Sequence, residues 1–329
     1  MRQLSARPNQ KYEKGHAMSE NKPLCTNDAT TGEAHAGAKY TDEMPHLLRV
    51  SAQKDYIPRI CAVHDLCGYG KCSLGVAIPV LSAAGLDVCP LPTSLFSAHT
   101  RFDYFYMHDT TSMLEPYLDA WEKEDVEIDA IYSGFLGSPE QTAAIERLKT
   151  MFPEAFVVVD PVMGDAGARY ATYTDELCAR MCELAHGADV LTPNLTEAAI
   201  LTGRGYCGES PDRAELDSLI EELRQYHARY LILKGIETAD GCIENYIVTN
   251  GSNVEVVRHK KHDFSLHGTG DLFASCVLAA FIRLGDMKKA VEFASDFVYQ
   301  AMLLSQKQPA WQLRGISFEP LLGELCRLK

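Results

Sequence analysis

With 329 residues, 46% of them hydrophobic, and a formal net charge of −14, the chain can bury a large core and lacks the basic face of a nucleic-acid binder. No apolar run reaches membrane-spanning length and the N-terminus carries no signal-peptide segment, so no membrane partner and a cytoplasmic location are expected. Eleven cysteines are scattered, several within apolar runs (Cys61, Cys89, Cys276). No Cys-x-x-Cys pair occurs, and Cys67/Cys72 and Cys178/Cys182 lack a His or Cys partner at zinc spacing, so they read as reduced, buried thiols.

Residues 1–55 show no sustained apolar periodicity and read as a disordered extension, with Met18 or Met44 as alternative starts; residues 56–329 read as one domain. From Tyr56 onward, β-branched apolar runs alternate with stretches of helical period. Strands are expected at Ile60–Leu66, Asp87–Leu91, Ile128–Ser133, Ala155–Asp160, Asp189–Thr192 and Tyr230–Leu233, then as a hairpin, Glu244–Val248 and Val254–Arg258, through Asn250-Gly251. Helices are expected at Ser73–Ala84, Thr110–Lys123, Pro139–Met151, Asp175–Ala185, Leu195–Leu201, Asp212–Ala228, Gly268–Leu284, Lys288–Leu304 and Phe318–Leu328. The alternation predicts a three-layer α/β fold, a mostly parallel sheet with helices on both faces.

In such sheets ligands bind beyond the carboxyl ends of the strands. His64-Asp65, Ser133-Gly134, Asp160-Pro161-Val162-Met163-Gly164, Thr192-Pro193-Asn194 with Glu197, and Lys234-Gly235 all fall at expected strand ends. Late in the chain, His267-Gly268-Thr269-Gly270-Asp271 precedes a long apolar helix closed by Gly285. A glycine-flanked helix start offers bare amides and partial positive charge to a phosphate. Asp271 in that first turn is either a helix-start device or a base placed beside an attacking hydroxyl. Each of the others also has a structural reading: Asp160 an Asx turn, Asn194-x-x-Glu197 a capping pair, Lys234 a solvated cation. Gly68-Tyr69-Gly70-Lys71-Cys72-Ser73 is no P-loop: Asp65 stands where the first glycine belongs, and Cys72 follows Lys71 where Ser or Thr is needed.

The Gly-Thr-Gly-Asp, Asp-Pro-Val-Met-Gly and Thr-Pro-Asn-x-x-Glu segments resemble those of the ribokinase-like superfamily. Ser133-Gly134-Phe135-Leu136-Gly137-Ser138, Pro90-Leu91-Pro92-Thr93 and Phe96-Ser97-x-His99-Thr100 narrow the resemblance to the pyridoxal kinase family and its pyridoxamine kinase-like bacterial branch, from about Arg59 to about Leu304. The resemblance implies a ribokinase-like fold and transfer of the ATP γ-phosphoryl group to the 5′-hydroxymethyl of pyridoxal, pyridoxine or pyridoxamine. Asp271 would be the catalytic base, with Gly268 and Gly270 as the anion hole. Asp160, Thr192, Asn194, Glu197, Lys234 and Thr269 would serve ATP. Glu197 and Asp160 would hold Mg²⁺, directly or through water, and a monovalent cation is a further candidate. Val63, Thr100, Phe135 and Asp271 would contact the vitamer; Val63 stands where many relatives carry a serine. A homodimer is expected, with small molecules as the other partners. Two rival readings remain: a hydroxymethylpyrimidine kinase, which shares the fold but often has cysteine at the Asp271 position, and a non-catalytic sensor.

Overall fold

The computed structural model describes residues 44–249 and 253–328. In chain order the elements are α1 (His46–Ser51), β1 (Arg59–Cys67), α2 (Leu74–Ala83), β2 (Asp87–Phe96), β3 (Met107–Asp109), α3 (Thr111–Lys123), β4 (Ala130–Ser133), α4 (Gln141–Met151) and β5 (Phe156–Val159). Then come the short ribbon β6 (Gly164–Asp165) and β7 (Ala168–Arg169), α5 (Asp175–Ala185), β8 (Val190–Leu191), α6 (Leu195–Thr202), α7 (Arg213–Leu223), β9 (Tyr230–Glu237), β10 (Cys242–Thr249) and β11 (Val254–Lys260). The chain closes with α8 (Thr269–Leu284), α9 (Met287–Ser305), α10 (Trp311–Arg314) and α11 (Leu322–Leu325).

Nine strands form one sheet in the order β11-β10-β9-β8-β5-β4-β1-β2-β3. Strands β9, β8, β5, β4, β1 and β2 run parallel, while β10 and β3 pair antiparallel to their neighbours at the flanks. Side chains alternate between the faces of a strand, so each central strand feeds two cores. Ile60, Ala130, Tyr132, Val158, Val190 and Ile232 pack with α1, α2, α8 and α9. Cys61, Val63, Ile131, Val159, Leu191 and Leu233 pack with α3 to α7 on the other face. Continuous apolar strands such as Phe156–Val159 are the expected product of burial on both sides. The three-layer architecture is therefore the one that strand-helix alternation predicted.

The chain departs from the expectations at several points. The domain boundary at 55 falls too late: Leu47, Leu48 and Val50 of α1 are buried against the α8 side of the sheet, although six residues are too few to show a helical period. Residues 1–43 and the Asn250-Gly251 turn lie outside the described residues, while the antiparallel β10–β11 pairing is present. Strand β3 is three residues, two of them exposed, with no apolar alternation to announce it. The helix expected through Ala228 ends at Leu223, passes into a 3₁₀ turn and stops at His227 in the left-handed region. The one expected at Phe318–Leu328 is a 3₁₀ turn with Pro320 near its start, followed by the four residues of α11. Helix α8 explains its own composition: Leu272 through Ile282 are all buried, enclosed by the sheet, α2 and α9, and Gly285 caps it with φ 66°.

Candidate active site

The strand ends are laced together. Gly134 donates its amide to the Val63 carbonyl at 3.1 Å, Asp160 to Ser133 at 2.9 Å, Thr192 to Val159 at 3.1 Å and Lys234 to Pro193 at 2.9 Å. Across the sheet this sets Lys234, Thr192, Asp160, Gly134 and Asp65 in a row at one edge, at the carboxyl ends of β9, β8, β5, β4 and β1 respectively. Helix α8 aims its N-terminus at the middle of that row.

Gly268 is the N-cap of α8 and adopts φ 85°. A Cβ on it would stand 2.1 Å from the Lys71 carbonyl oxygen, so the loop after β1 closes directly on the glycine. Gly268→Ala is thus expected to destabilise the protein by roughly 1–3 kcal/mol or more and to misplace the first turn, seen as a lowered melting temperature together with lost activity. At Gly270 the backbone has ordinary φ, and an added Cβ would meet only the Lys234 Nζ at 3.9 Å. That glycine keeps open the space between the helix amides and a lysine ammonium, which is where a phosphate fits. Thr269 turns its hydroxyl back onto the Leu266 carbonyl at 3.0 Å, leaving its amide rather than its side chain for a ligand.

Lys234 is fixed by charge. Its Nζ lies 2.6 Å from Asp160 Oδ1 and 3.9 Å from Glu197 Oε2, with all three side chains nearly removed from solvent. Burial pulls the ammonium pKa down, but the two carboxylates outweigh it and leave it raised. Thr192 adds a hydrogen bond to the same Asp160 oxygen at 2.8 Å. Burial pushes the Glu197 carboxyl up, opposed by Lys234. Asn194 and Glu197 form a full capping box: Asn194 Oδ1 accepts from the Glu197 amide and Glu197 Oε2 from the Asn194 amide, each at 2.8 Å. Asn194 Nδ2 donates to the Gly164 carbonyl at 2.9 Å. Both ends of the Asn194 side chain are engaged in structure, so its part in this site is to hold Glu197.

Asp271 sits in the first turn of α8, half-buried at the junction of the row. Its carboxylate is held by the Ser73 amide and has Asp160, Asp65 and Lys234 as charged neighbours. A helix N-terminus alone favours an ionised, weakly basic carboxylate. Here burial wins, with Asp160 and Asp65 adding to it, and pushes the pKa up to about 7. A base must be deprotonated to accept a proton. Hence kcat/KM is expected to fall about tenfold per pH unit below roughly pH 7 in a pH–rate profile, and a flat profile down to pH 5 removes Asp271 as the titrating group.

On the β1 side, Phe135 follows β4 and packs its ring against Phe96 and Tyr173, with centroids 6.0 and 5.8 Å away, beside the Cys67–Cys72 pair. One expected vitamer contact needs correction. Val63 is wholly buried in the α3–α7 core and presents no surface to a ligand, because odd positions of β1 face the helices there. Thr100 is exposed on the loop beyond His99, which itself packs on His267 with ring centroids 4.4 Å apart. Ser73, read only as a helix start, is a component that the sequence reading missed: its amide serves Asp271 and its hydroxyl serves Asp65. It adopts φ 51°, a strained geometry that no serine in a helix-start pattern announces.

The sequence profile of the phosphomethylpyrimidine kinase family matches residues 81–312, more than two thirds of the chain. The chain belongs to the phosphomethylpyrimidine kinase family. Among solved structures, a Bacteroides thetaiotaomicron protein classed as a phosphomethylpyrimidine kinase, in a crystal form with pyridoxal, is 32% identical with a TM-score of 0.78. That match covers 83% of this chain and 97% of the other. Pyridoxal kinase from Lactobacillus plantarum matches with a TM-score of 0.74 and 26% identity, over 82% and 97% of the two chains. A pyridoxine/pyridoxal/pyridoxamine kinase of Bordetella avium is 29% identical over 277 residues, 79% of this chain and 90% of its own. This member of the phosphomethylpyrimidine kinase family therefore carries the ribokinase-like fold, as its motifs implied, and is an enzyme of the kinase class.

Proposed function

We propose that the chain transfers the γ-phosphoryl group of ATP to the 5′-hydroxymethyl group of pyridoxal, pyridoxine or pyridoxamine. The observation that carries this reading is the convergence of three groups on one open space: the α8 amides, the Lys234 ammonium beside Gly270, and the Asp271 carboxylate. Kinase relatives named for these vitamers, and the relative crystallised with pyridoxal, support the choice of acceptor.

The residues divide the work. The amides at Gly268 to Gly270 and the Lys234 ammonium hold the γ-phosphate and neutralise charge that develops on it. Asp271, anchored by Ser73, accepts the proton of the substrate hydroxyl as its oxygen bonds to phosphorus and ADP departs with the electrons of the broken bond. Asp160 spends Oδ1 on Lys234 and Thr192, and Glu197 spends Oε2 on the Asn194 amide, so each carboxylate retains a second oxygen. Hard oxygen donors of this kind, few in number and next to the phosphate space, fit Mg²⁺ held partly through water. Bound there with ATP, the ion would supply further neutralisation of the β- and γ-phosphates. Phe135 offers an aromatic face on the β1 side for the pyridine ring.

The family's own description, phosphomethylpyrimidine kinase, keeps a second class of acceptor in view, a hydroxymethylpyrimidine or its phosphate. An ADP-release assay with purified protein across the three vitamers and hydroxymethylpyrimidine separates them. At least one vitamer is expected to show a kcat/KM about tenfold or more above that of the pyrimidine. The reverse order would replace the vitamer reading, and ADP release with none of the four would favour a sensor. A homodimer belongs to the same proposal and is checked by the mass of the protein in solution. So does a reducing, cytoplasmic setting, which the lack of any disulfide among the ten described cysteines supports.

A further inference from the structure

The turn that opens α8 is held from a segment that the family profile, ending at residue 312, does not reach. After α10 the chain passes back across the loop that follows β1. Lys71 and Gly315 form an isolated parallel bridge, and Lys71 Nζ pairs with the Glu319 carboxylate while lying 5.8 Å from the centre of the Phe318 ring. Glu319 Oε2 accepts from the Phe318 amide at 3.1 Å, so one carboxylate ties the segment both to itself and to the loop. From that position the Ile316 amide donates to the His267 carbonyl at 3.0 Å. Gly315 lies against the same oxygen. It adopts φ 83°, and a Cβ built on it would stand 2.9 Å from the His267 oxygen and 3.3 Å from the Lys71 oxygen.

That carbonyl belongs to the peptide whose nitrogen is that of Gly268. A trans peptide is planar, with its C=O and N–H pointing in opposite directions, and none of the described peptide bonds is cis. Fixing the oxygen therefore fixes the direction of the Gly268 N–H. It points away from the C-terminal segment, and among the described residues no backbone carbonyl takes it. Glycine on one side of the plane leaves rotation of this peptide with little steric resistance of its own. Turned over, the plane would present a carbonyl dipole in place of the amide and repel an anion.

We propose that Gly315 and Ile316 are positioning residues for phosphoryl transfer: they hold the His267–Gly268 peptide so that the Gly268 N–H faces the γ-phosphate of ATP. This rests on the seating of the ATP phosphates at α8 proposed above and not on the choice of acceptor.

Removing a single N–H tests it. The full chain carrying the α-hydroxy analogue of isoleucine at position 316 has an ester oxygen in place of that N–H and keeps the side chain. The same replacement at Ser317 is the control, because the Ser317 amide donates to Ser305 Oγ at 2.7 Å in the same segment and not to the α8 turn. Calorimetric titration with magnesium and either ADP or adenylyl imidodiphosphate, a non-transferable ATP analogue, isolates the contribution of the γ-phosphate. The ester at 316 is expected to weaken the analogue about fivefold and to leave ADP within about twofold, with KM for the acceptor unchanged. The ester at 317 should lower the melting temperature by a similar amount and spare both nucleotides. Gly315→Ala, which pushes on the carbonyl itself, should weaken the analogue about tenfold or more and again spare ADP. Equal effects of the two esters on the analogue, or equal losses of ADP and analogue in the 316 ester, would overturn the inference. Should Gly315→Ala fail to fold, the two esters decide. A wild-type chain that binds neither nucleotide would overturn the seating of ATP itself, and this inference with it.

Discussion

Asp271→Asn is expected to lower kcat by about 10²–10⁴-fold while ATP binding is retained or strengthened. The side chains have the same shape, and an asparagine oxygen can still accept from the Ser73 amide, so the first turn of α8 keeps its geometry. What is lost is the capacity to take a proton from the acceptor hydroxyl in the transition state. What is gained for nucleotide binding is the removal of a negative charge from beside the phosphate space. Kinetics with saturating acceptor, paired with calorimetric ATP binding, measure both halves. Turnover within about a factor of ten of wild type would show that positioning and charge neutralisation carry the rate without this carboxylate. Stability gives an independent reading. A carboxyl whose pKa is about 7 in the fold and 3.8 when free in water contributes stability that is intact below the lower value and lost as the pH rises through the upper one. The asparagine variant escapes that loss, so its melting temperature should exceed that of wild type by more at pH 8 than at pH 5.

Lys234→Met should have the largest effect on the fold itself. It removes the cation 2.6 Å from Asp160 and 3.9 Å from Glu197 and leaves two buried carboxylates facing each other. Breaking a buried pair in this way costs about 3–5 kcal/mol, roughly 10 °C in melting temperature for a chain of this size. Proton uptake relieves the repulsion, so the loss should be smaller at pH 6 than at pH 8. Adding Glu197→Gln should recover part of it, since the amide keeps an oxygen for the Asn194 amide while discarding the charge. Thermal unfolding of the single and double variants at both pH values is the check. Equal losses at both, with no recovery in the double variant, would mean that the lysine acts through packing and not through charge. Activity should fall as well, because the ammonium is one of the two donors flanking Gly270.

Much of this arrangement was legible in the residues because it rests on short-range rules. Strand-helix alternation locates the sheet, and the rule that ligands bind beyond the carboxyl ends of strands puts Asp160, Thr192 and Lys234 in one row. Gly-Thr-Gly-Asp before an apolar run located the start of α8 to within one residue. What was not legible depends on contacts between distant segments. Nothing local says that Ser73 takes a left-handed conformation and reaches Asp271, nearly two hundred positions on. The basicity of Asp271 is illegible for the same reason: the helix start is visible in the sequence, whereas Asp65 and Asp160 arrive from the ends of β1 and β5. Val63 was placed by correspondence with serine-bearing relatives, and the pleat of β1 turns it into the core. Asn194 shows the opposite case, where the plainer reading, a capping pair, is what the geometry displays.

Helix α8 is enclosed along its length, with Leu272 through Ile282 all lacking solvent. An element gripped on every side has no soft direction in which to travel, so the carboxylate and the amides at its tip form a stationary reference within the molecule. Whatever approach and departure a catalytic cycle demands must then fall to less enclosed segments, such as the exposed stretch around Tyr104 and Tyr106. Changes meant to alter which acceptor is taken belong on those peripheral segments. Changes inside the helix, at Cys276 or Ala279 for example, would shift the reference itself and degrade handling of every acceptor alike.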